Sequence, residues 1–470
     1  MTTSLWHDRA PLHRYSDLDT AAGGFSDHVD HVVVGAGITG LTTGLLLARS
    51  GTRVAVIEAR ERGAVTTGRS SAKISVLQGT KLSRMRRHHS QRLVSAYVEG
   101  NREAQAWLLR FCDDHGVPVE RRPAVTYAAT AEDEDAARAE HDVAAASGLP
   151  VRWQQRFDVP VPHVGGTVLE DQAQLDPVAL VEALTEQLRA HGGMLHEGRR
   201  VASVSLDGRD VELDDGRRLR ASRVVLATGT PILDRGLVFA KVEAQRSYVV
   251  AFSGVQPPHD MLLSAGSPTR SLRSVERDDG SLLMVGGAGH TVGRVRSERE
   301  HLDSLREWTT EYYPDTVETH AWSAQDYGAP DGVPYVGPLP RGRGRVLVAT
   351  GFDKWGMTNG VAAALSLGAE ILGGGPPSWQ KPLRHRITGP GEALRLAELN
   401  ARVGLAACRG LPGIGRRPLC THLGGVLRRN DAEGTWDCPL HGSRFADDGS
   451  VLEGPATRPL SERSPSASGG

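Results

Sequence analysis

Apolar residues recur along this chain in two rhythms, and their alternation predicts an α/β fold. Short all-apolar runs at residues 32–34, 54–57, 224–226 and 346–349 read as buried strands. Residues 41–48 carry helix-compatible spacing that Gly51 ends, and a second helix is expected from Pro177, just after Asp176, to about residue 190, closed by Gly192 and Gly193. Residues 201–206 and 211–213 alternate like a hairpin around Asp207 and Gly208. Residues 90–147 read as largely helical with a turn at Gly116 and Pro118, and 242–322 as a second sheet with one helix. The βαβ rhythm returns at 224 after this insertion. The chain is therefore expected to hold a discontinuous nucleotide domain within 28–372, interrupted by an α+β substrate domain at roughly 90–165 and 240–325. An apolar helix is expected at 359–372, a linker at 373–388, a further small domain at 389–460, a polar extended arm at 1–27 and a Ser- and Gly-rich tail at 461–470.

The first strand, helix and strand carry a specific motif. Gly35, Gly37 and Gly40 form GxGxxG where the strand at 32–34 turns into the helix, and Glu58 ends the next strand. The first glycine permits the turn, the second lets backbone approach a pyrophosphate, and the third allows close packing of helix on strand. A diphosphate would sit on the helix N-terminus, and Glu58 would hold a ribose hydroxyl. This is the signature of an adenine dinucleotide site. The loop at 63–78 includes Thr66, Thr67, Gly68, Ser70, Ser71, Ala72 and Lys73, small donors suited to phosphates and a ribityl chain. Thr228 and Gly229 close the strand at 224–226 on the same edge. Gly286, Gly287 and Gly289 do not repeat the motif, because Val292 takes the third glycine position. No NAD(P) site is therefore expected. The basic run 84–89 reads as a solvated helix face.

Composition narrows the setting. In 470 residues, 55 Lys plus Arg nearly cancel 56 Asp plus Glu, which argues against nucleic acid or an anionic membrane as partner. No apolar run approaches the roughly 20 residues of a membrane span. No export signal is read at the N-terminus, and four cysteines make no disulfide framework, so a reducing cytoplasm is expected.

Four residues near the end form a second constellation. Cys420 and His422 make Cys-x-His, fifteen residues intervene, and Cys438 and His441 make Cys-x-x-His. Each loop offers one thiolate and one imidazole, as a 2Fe-2S centre requires when two Cys hold one iron and two His the other. The rival is one zinc held by the same four side chains, although Cys-x-His is an awkward chelate for a single tetrahedral ion. Cys112 and Cys408 lie outside the pattern and are expected to be small buried apolar side chains.

With these motifs in view, residues 30–372 resemble D-amino acid oxidase-like FAD-dependent oxidoreductases, close to gamma-glutamylputrescine oxidoreductases, and the C-terminal motifs resemble the Rieske 2Fe-2S fold. The marks are residues 66–75, the run Trp322, Ser323, Ala324, Gln325 and Asp326, then Asp331, Gly332, Pro334 and Gly337, residues 351–360, and Gly454 to Ala456. The resemblance implies non-covalent FAD, with Gly351, Phe352, Gly356 and Met357 against the isoalloxazine. It implies a cluster whose histidine edge is exposed. Respiratory Rieske proteins carry two further cysteines where this chain has Gly425 and Leu440, and a tyrosine where it has Phe445, while Ser443 remains. With fewer donors to the cluster, a potential in the lower part of the roughly −150 to +300 mV Rieske range is expected. The thirty or so residues between linker and Cys420 are fewer than a full base sheet normally takes, so a shortened domain that loses its cluster easily is expected.

The function these readings imply is oxidation of a C–N bond in an amine or amino acid, with electrons passing from flavin to the cluster and on to an external acceptor. Two alternatives stand beside it: an amine oxidase using oxygen with a structural cluster, and an electron-transfer module for a partner enzyme. Lys354 and Trp355 stand where many relatives have Gly-His, and are expected to line the substrate face. Lys73 and Tyr335 are secondary candidates. No arginine clamp for a substrate carboxylate can be assigned from spacing.

Overall fold

The computed structural model describes residues 4–8, 14–17, 28–278, 280–384 and 390–461. Its first unit is the expected one. Strand β1 (His28–Val34) is wholly apolar beyond His31, so it suits a sheet covered on both faces. Helix α1 (Ile38–Arg49) follows the glycine turn, and β2 (Val54–Glu58) returns parallel to β1. A Cβ at Gly40 would collide with the Gly35 carbonyl oxygen, which is why glycine lets α1 settle on its strand. Leu41, Leu45 and Leu47 of α1 are fully buried, each stabilising the fold by about 1.5–3 kcal/mol.

The first sheet runs in the order Tyr335–Pro338, Val346–Thr350, Arg218–Leu226, β1, β2 and Met194–Glu197. All neighbours are parallel except the first pair, and the hairpin of Val201–Val204 and Asp210–Leu213 hangs from Arg218–Leu226. Sequence-distant strands thus close one nucleotide domain. Helix Pro177–Ala190 has the expected bounds, because the Asp176 carboxylate accepts the Val178 N–H and Pro177 needs no partner at the first position.

A nine-stranded sheet forms the second layer, from Val317–Gly328 through Glu243–Ser253, Leu282–Thr291, Arg270–Val275, Met261–Ser264, Val119–Ala128 and Gly165–Leu175 to Lys73–Ile74, with Arg152–Gln154 also paired to Gly165–Leu175. Here the expectation of a largely helical 90–147 needs correction. Helices Gln91–Asp114 and Ala131–Ala146 flank a central strand, Val119–Ala128, whose inner half is buried against Gly165–Leu175. Gly286, Gly287 and Gly289 lie in strand Leu282–Thr291, with no phosphate-binding turn. Helix Gly356–Ile371 begins earlier than expected, at the glycine after Trp355.

The third sheet is small and antiparallel, Arg428–Asn430, Thr435–Asp437, Arg444–Phe445 and Val451–Glu453. Before it, residues placed by sequence in the linker and the opening of the last domain form helices Gln380–Arg384 and Pro390–Gly410. Residues 5–7, expected in an extended arm, form one 3-10 turn in which Trp6 is buried and its Nε1 donates to the Ser70 carbonyl. The rest of the arm apart from 4–8 and 14–17, and the tail beyond 461, lie outside the described residues. Cys112 is buried as expected, whereas Cys408 is exposed on its helix.

Candidate active site and cluster centre

A cavity of about 720 Å³ runs from the turn after β1 to the second sheet. At one end Gly35 holds φ +103, and a Cβ there would lie 2.6 Å from the Ala227 oxygen. Glu58 accepts the Ala36 and Arg60 N–H groups at 2.8 and 2.9 Å, and the Thr67 hydroxyl accepts the Ile38 N–H at 3.1 Å. Burial pushes the Glu58 carboxyl up, against these bonds. Gly35, Gly37, Glu58, Thr67, Ser71, Thr228, Gly229, Phe352, Gly356 and Met357 line the cavity, as do Lys73, Lys354 and Trp355. Gly40, Ala72 and Gly351 stand behind the wall: Gly40 packs α1, and Ala72 and Gly351 hold left-handed turns, φ +53 and +81. Tyr335 lies in the edge strand and does not line the cavity.

At the other end the backbone of Asp353 and Lys354 is left-handed at two successive non-glycine residues, φ +52 and +70, a conformation that costs about 1–3 kcal/mol each. Asp326 accepts the Lys354 N–H and so holds this turn. Burial pushes Asp326 up to about 6 and Lys354 down. Burial opposes ionisation of Asp353 too, yet Lys81 and Arg84 hold its carboxyl well below the ordinary range. Arg84, expected on a solvated face, therefore belongs partly to the site. Lys73 Nζ donates to the Leu262 carbonyl at 3.0 Å and Ser271 at 2.7 Å, and burial with Arg273 nearby lowers it to about 7.

Spacing could not reveal Arg270. It begins strand Arg270–Val275, lines the cavity, and is 7% exposed. Among the described residues it makes no ion pair; one Nη reaches the Thr269 carbonyl at 3.3 Å, the guanidinium lies over Trp308, and Nε has no partner. Arg273 of the same strand also lines the cavity, but its guanidinium is bonded to the Ser71 and Ser274 carbonyls, and only the fold tells the two arginines apart.

The four C-terminal ligand candidates come together as a sulfur pair and an imidazole pair. The Cys438 thiol, the His422 N–H and the Ser443 hydroxyl beside it draw the Cys420 thiol down, while Cys438 is pushed up. The His422 and His441 rings are 5.4 Å apart. Burial, then His422, lowers His441 to about 4, and its buried Nδ1 has no hydrogen-bond partner. A neutral imidazole with an idle buried nitrogen suits a metal ligand. A sulfur pair beside an imidazole pair is the donor set of a two-iron centre in which two Cys hold one iron and two His the other. Where respiratory relatives have a disulfide, a Cβ on Gly425 would lie 2.7 Å from Leu440, so packing takes its place.

The histidine edge is not exposed, contrary to expectation. Residues 234–241 cover it: Asp234 meets His422 Nε2 at 2.8 Å, and the Phe239 ring stands edge-on to both histidines at 4.9 and 4.7 Å. His422 is left 6% exposed. The cluster domain is also wedged against the cavity, whose wall includes Leu452, Glu453 and Gly454.

Residues 30–369 match the profile of the FAD dependent oxidoreductases, and residues 416–464 that of the Rieske [2Fe-2S] domain. The chain belongs to the FAD dependent oxidoreductase family. This FAD dependent oxidoreductase carries a Rieske domain, and its cofactors are FAD and a Rieske 2Fe-2S cluster. It is 29% identical over 92% of its length to YhfW of Bacillus subtilis (strain 168), named as a Rieske 2Fe-2S iron-sulfur protein, of which 93% is covered. Glycine oxidase from Geobacillus kaustophilus shares its fold with a TM-score of 0.64 and 18% identity, over 77% of this chain and all of that one. L-amino acid deaminase from Proteus vulgaris does so at 0.63 and 16%, over 78% and 99%. The oxidoreductase thus has an amino acid oxidase-like fold joined to a Rieske domain. No described helix is long and apolar enough to cross a membrane.

Proposed function

We propose that this oxidoreductase removes a hydride from the carbon beside the nitrogen of an amino acid and sends the electrons through its own cluster to an external acceptor. One observation carries the relay. Tyr327 lines the cavity, and Gln325 Nε2 donates both to the Tyr327 hydroxyl at 2.8 Å and to the Gly442 carbonyl at 2.7 Å, next to His441. The cavity and the ligand loop are thus joined through one glutamine. When bound, FAD takes up the hydride and the cluster passes electrons singly.

The chain's residues supply the rest. Gly35, Gly37 and Thr67 hold the diphosphate end, Glu58 the ribose, and Phe352, Gly356 and Met357 the ring, with Gly351 shaping the turn. The idle Arg270 guanidinium takes the substrate carboxylate, an anion that replaces the water this cation lost on burial. The names of the two structural neighbours, glycine oxidase and L-amino acid deaminase, agree with that class. A neutral Lys73 donates its two hydrogens to Leu262 and Ser271, which leaves its lone pair to accept the ammonium proton before hydride leaves. Lys354 and Trp355 line the face over which the substrate lies.

An anaerobic panel of amino acids and amines, followed by optical and EPR spectra of the same sample, tests this reading. An amino acid should bleach the flavin and then reduce the cluster, and Arg270→Gln should weaken its binding by 2 kcal/mol or more, roughly thirtyfold. Flavin turnover with peroxide release and a cluster that stays oxidised would refute the relay. Bleaching by amines lacking a carboxylate, unaffected by Arg270→Gln, would refute the substrate class.

A further inference from the structure

The ligand loops open onto a surface for which the reaction above has no use. Leu237, Leu411, Ile414, Leu419 and Leu423 are each between 46% and 58% exposed, and they surround the first loop of the cluster. Leu419 precedes Cys420 and Leu423 follows His422. Leu419 pairs with Val426, and a Cβ on Gly410 or Gly413 would lie 3.2 or 3.0 Å from the same valine, so the turn bearing Leu411 and Ile414 lies against that loop. Leu237 sits two residues from Phe239, whose ring abuts both histidines. Large apolar side chains gathered at this density on a surface mark a contact.

Charge identifies the occupant. Residues 399–430 hold six arginines and no Asp or Glu, in a chain whose net charge is −1; Arg402 and Arg429 pair with Glu398 and Asp447, and the other four make no ion pair among the described residues. Arg416 and Arg417 stand exposed between Ile414 and Leu419, and the Thr421 hydroxyl, within the loop, donates to the carbonyl of exposed Arg458. A second copy of this face would bring arginines against arginines, whereas an acidic surface would be steered onto it.

We propose that this arginine-rimmed apolar patch docks a small acidic one-electron carrier protein, which exchanges electrons with the cluster at the His422 rim. The proposal rests on the reading of the cluster as a redox relay. One electron crosses per encounter: iron in the carrier goes from ferrous to ferric as one cluster iron goes from ferric to ferrous, or the reverse, and no bond or proton moves. Since residues 234–241 cover the imidazoles, the carrier would meet Asp234, 56% exposed and bonded to His422 Nε2, and not the rings themselves.

The test uses the holoprotein, oxidised, mixed anaerobically with reduced plant-type ferredoxin, an acidic carrier whose potential lies below the Rieske range so that transfer runs downhill. Cluster reduction is followed by stopped flow, and binding of oxidised ferredoxin by calorimetry. The rate should fall steeply with added salt, and Ile414→Asp or the pair Arg416→Glu and Arg417→Glu should lower rate and affinity by roughly tenfold or more, with the cluster EPR signal and potential unchanged. Rates and affinities that ignore both variants and salt would overturn the proposal. So would faster exchange with basic cytochrome c than with ferredoxin, or sedimentation showing that the patch is buried in a dimer. No amino acid enters this test, so flavin that no amino acid bleaches would sink the proposed reaction and leave the docking result standing.

Discussion

Replacing Arg246 by Met removes a fully buried cation that crosses from the second sheet into the cluster domain. Its guanidinium reaches Ser323 at 2.7 Å, Gln325 at 2.8 Å, Glu433 at 2.9 Å and Glu453 at 3.4 Å. Arg444 binds Glu433, Glu453 and Asp437 from the other side. Without Arg246, Arg444 and the less buried Arg69, 3.7 Å from Glu433, face three carboxylates. Burial works against ionisation of Glu433, yet Arg444 and Arg246 hold its carboxyl at about 2 against an ordinary 4.5, a difference of about 3 kcal/mol at neutral pH. Breaking a buried pair from one side costs about 3–5 kcal/mol by comparison with other proteins, and with Arg444 and Arg69 still in place the lower end is expected. Because the folded value is depressed, this stability is complete above about pH 4.5 and is lost as pH falls toward 2. The assay is unfolding followed separately by cluster EPR and flavin fluorescence. Arg246→Met should lose the cluster signal first, about 3 kcal/mol earlier than native protein at pH 7, and should show less further loss between pH 4.5 and 2. The pair Arg246→Met with Glu433→Gln should recover part of the loss. Coincident transitions and a loss below about 1 kcal/mol, the worth of a surface pair, would refute the reasoning.

Three further outcomes are expected. If Lys73 takes the ammonium proton as proposed, kcat/KM should rise with pH through about 7, where burial and Arg273 bring this lysine, and Lys73→Met should lower kcat/KM by roughly a hundredfold or more, as steady-state profiles would reveal. His441→Ala should abolish the cluster EPR signal while the flavin spectrum stays, because His441 reaches the cluster region and does not line the cavity. Gly442, at φ +77, leaves no room for a Cβ against the Ala244 methyl. Gly442→Val should therefore unseat the ligand loop, with cluster content by iron analysis falling while FAD content holds.

Much of the site could be read from the chain because its chemistry is local in sequence. GxGxxG with Glu58, and the two Cys and His loops, each fall within thirty residues. Strand Val119–Ala128 was hidden because Ala- and Glu-rich helices on both sides dominate any window wide enough to see them, and its pairing partners lie at 165–175 and 261–264. Helix Pro390–Gly410 was hidden by the glycines and prolines around it. Arg270 and the ion cluster around Arg246 escaped for another reason. Their meaning depends on which face of a strand an arginine occupies and on carboxylates almost two hundred residues away. The covered histidine edge depends on residues 234–241, which bear no motif.

The proposed relay requires the two redox centres to exchange electrons within one molecule. Light-driven reduction of the flavin in the anaerobic holoprotein, with cluster reduction timed across a hundredfold dilution series, tests it most directly. A first-order rate independent of protein concentration is expected. A rate proportional to concentration, or a cluster that stays oxidised, would contradict it.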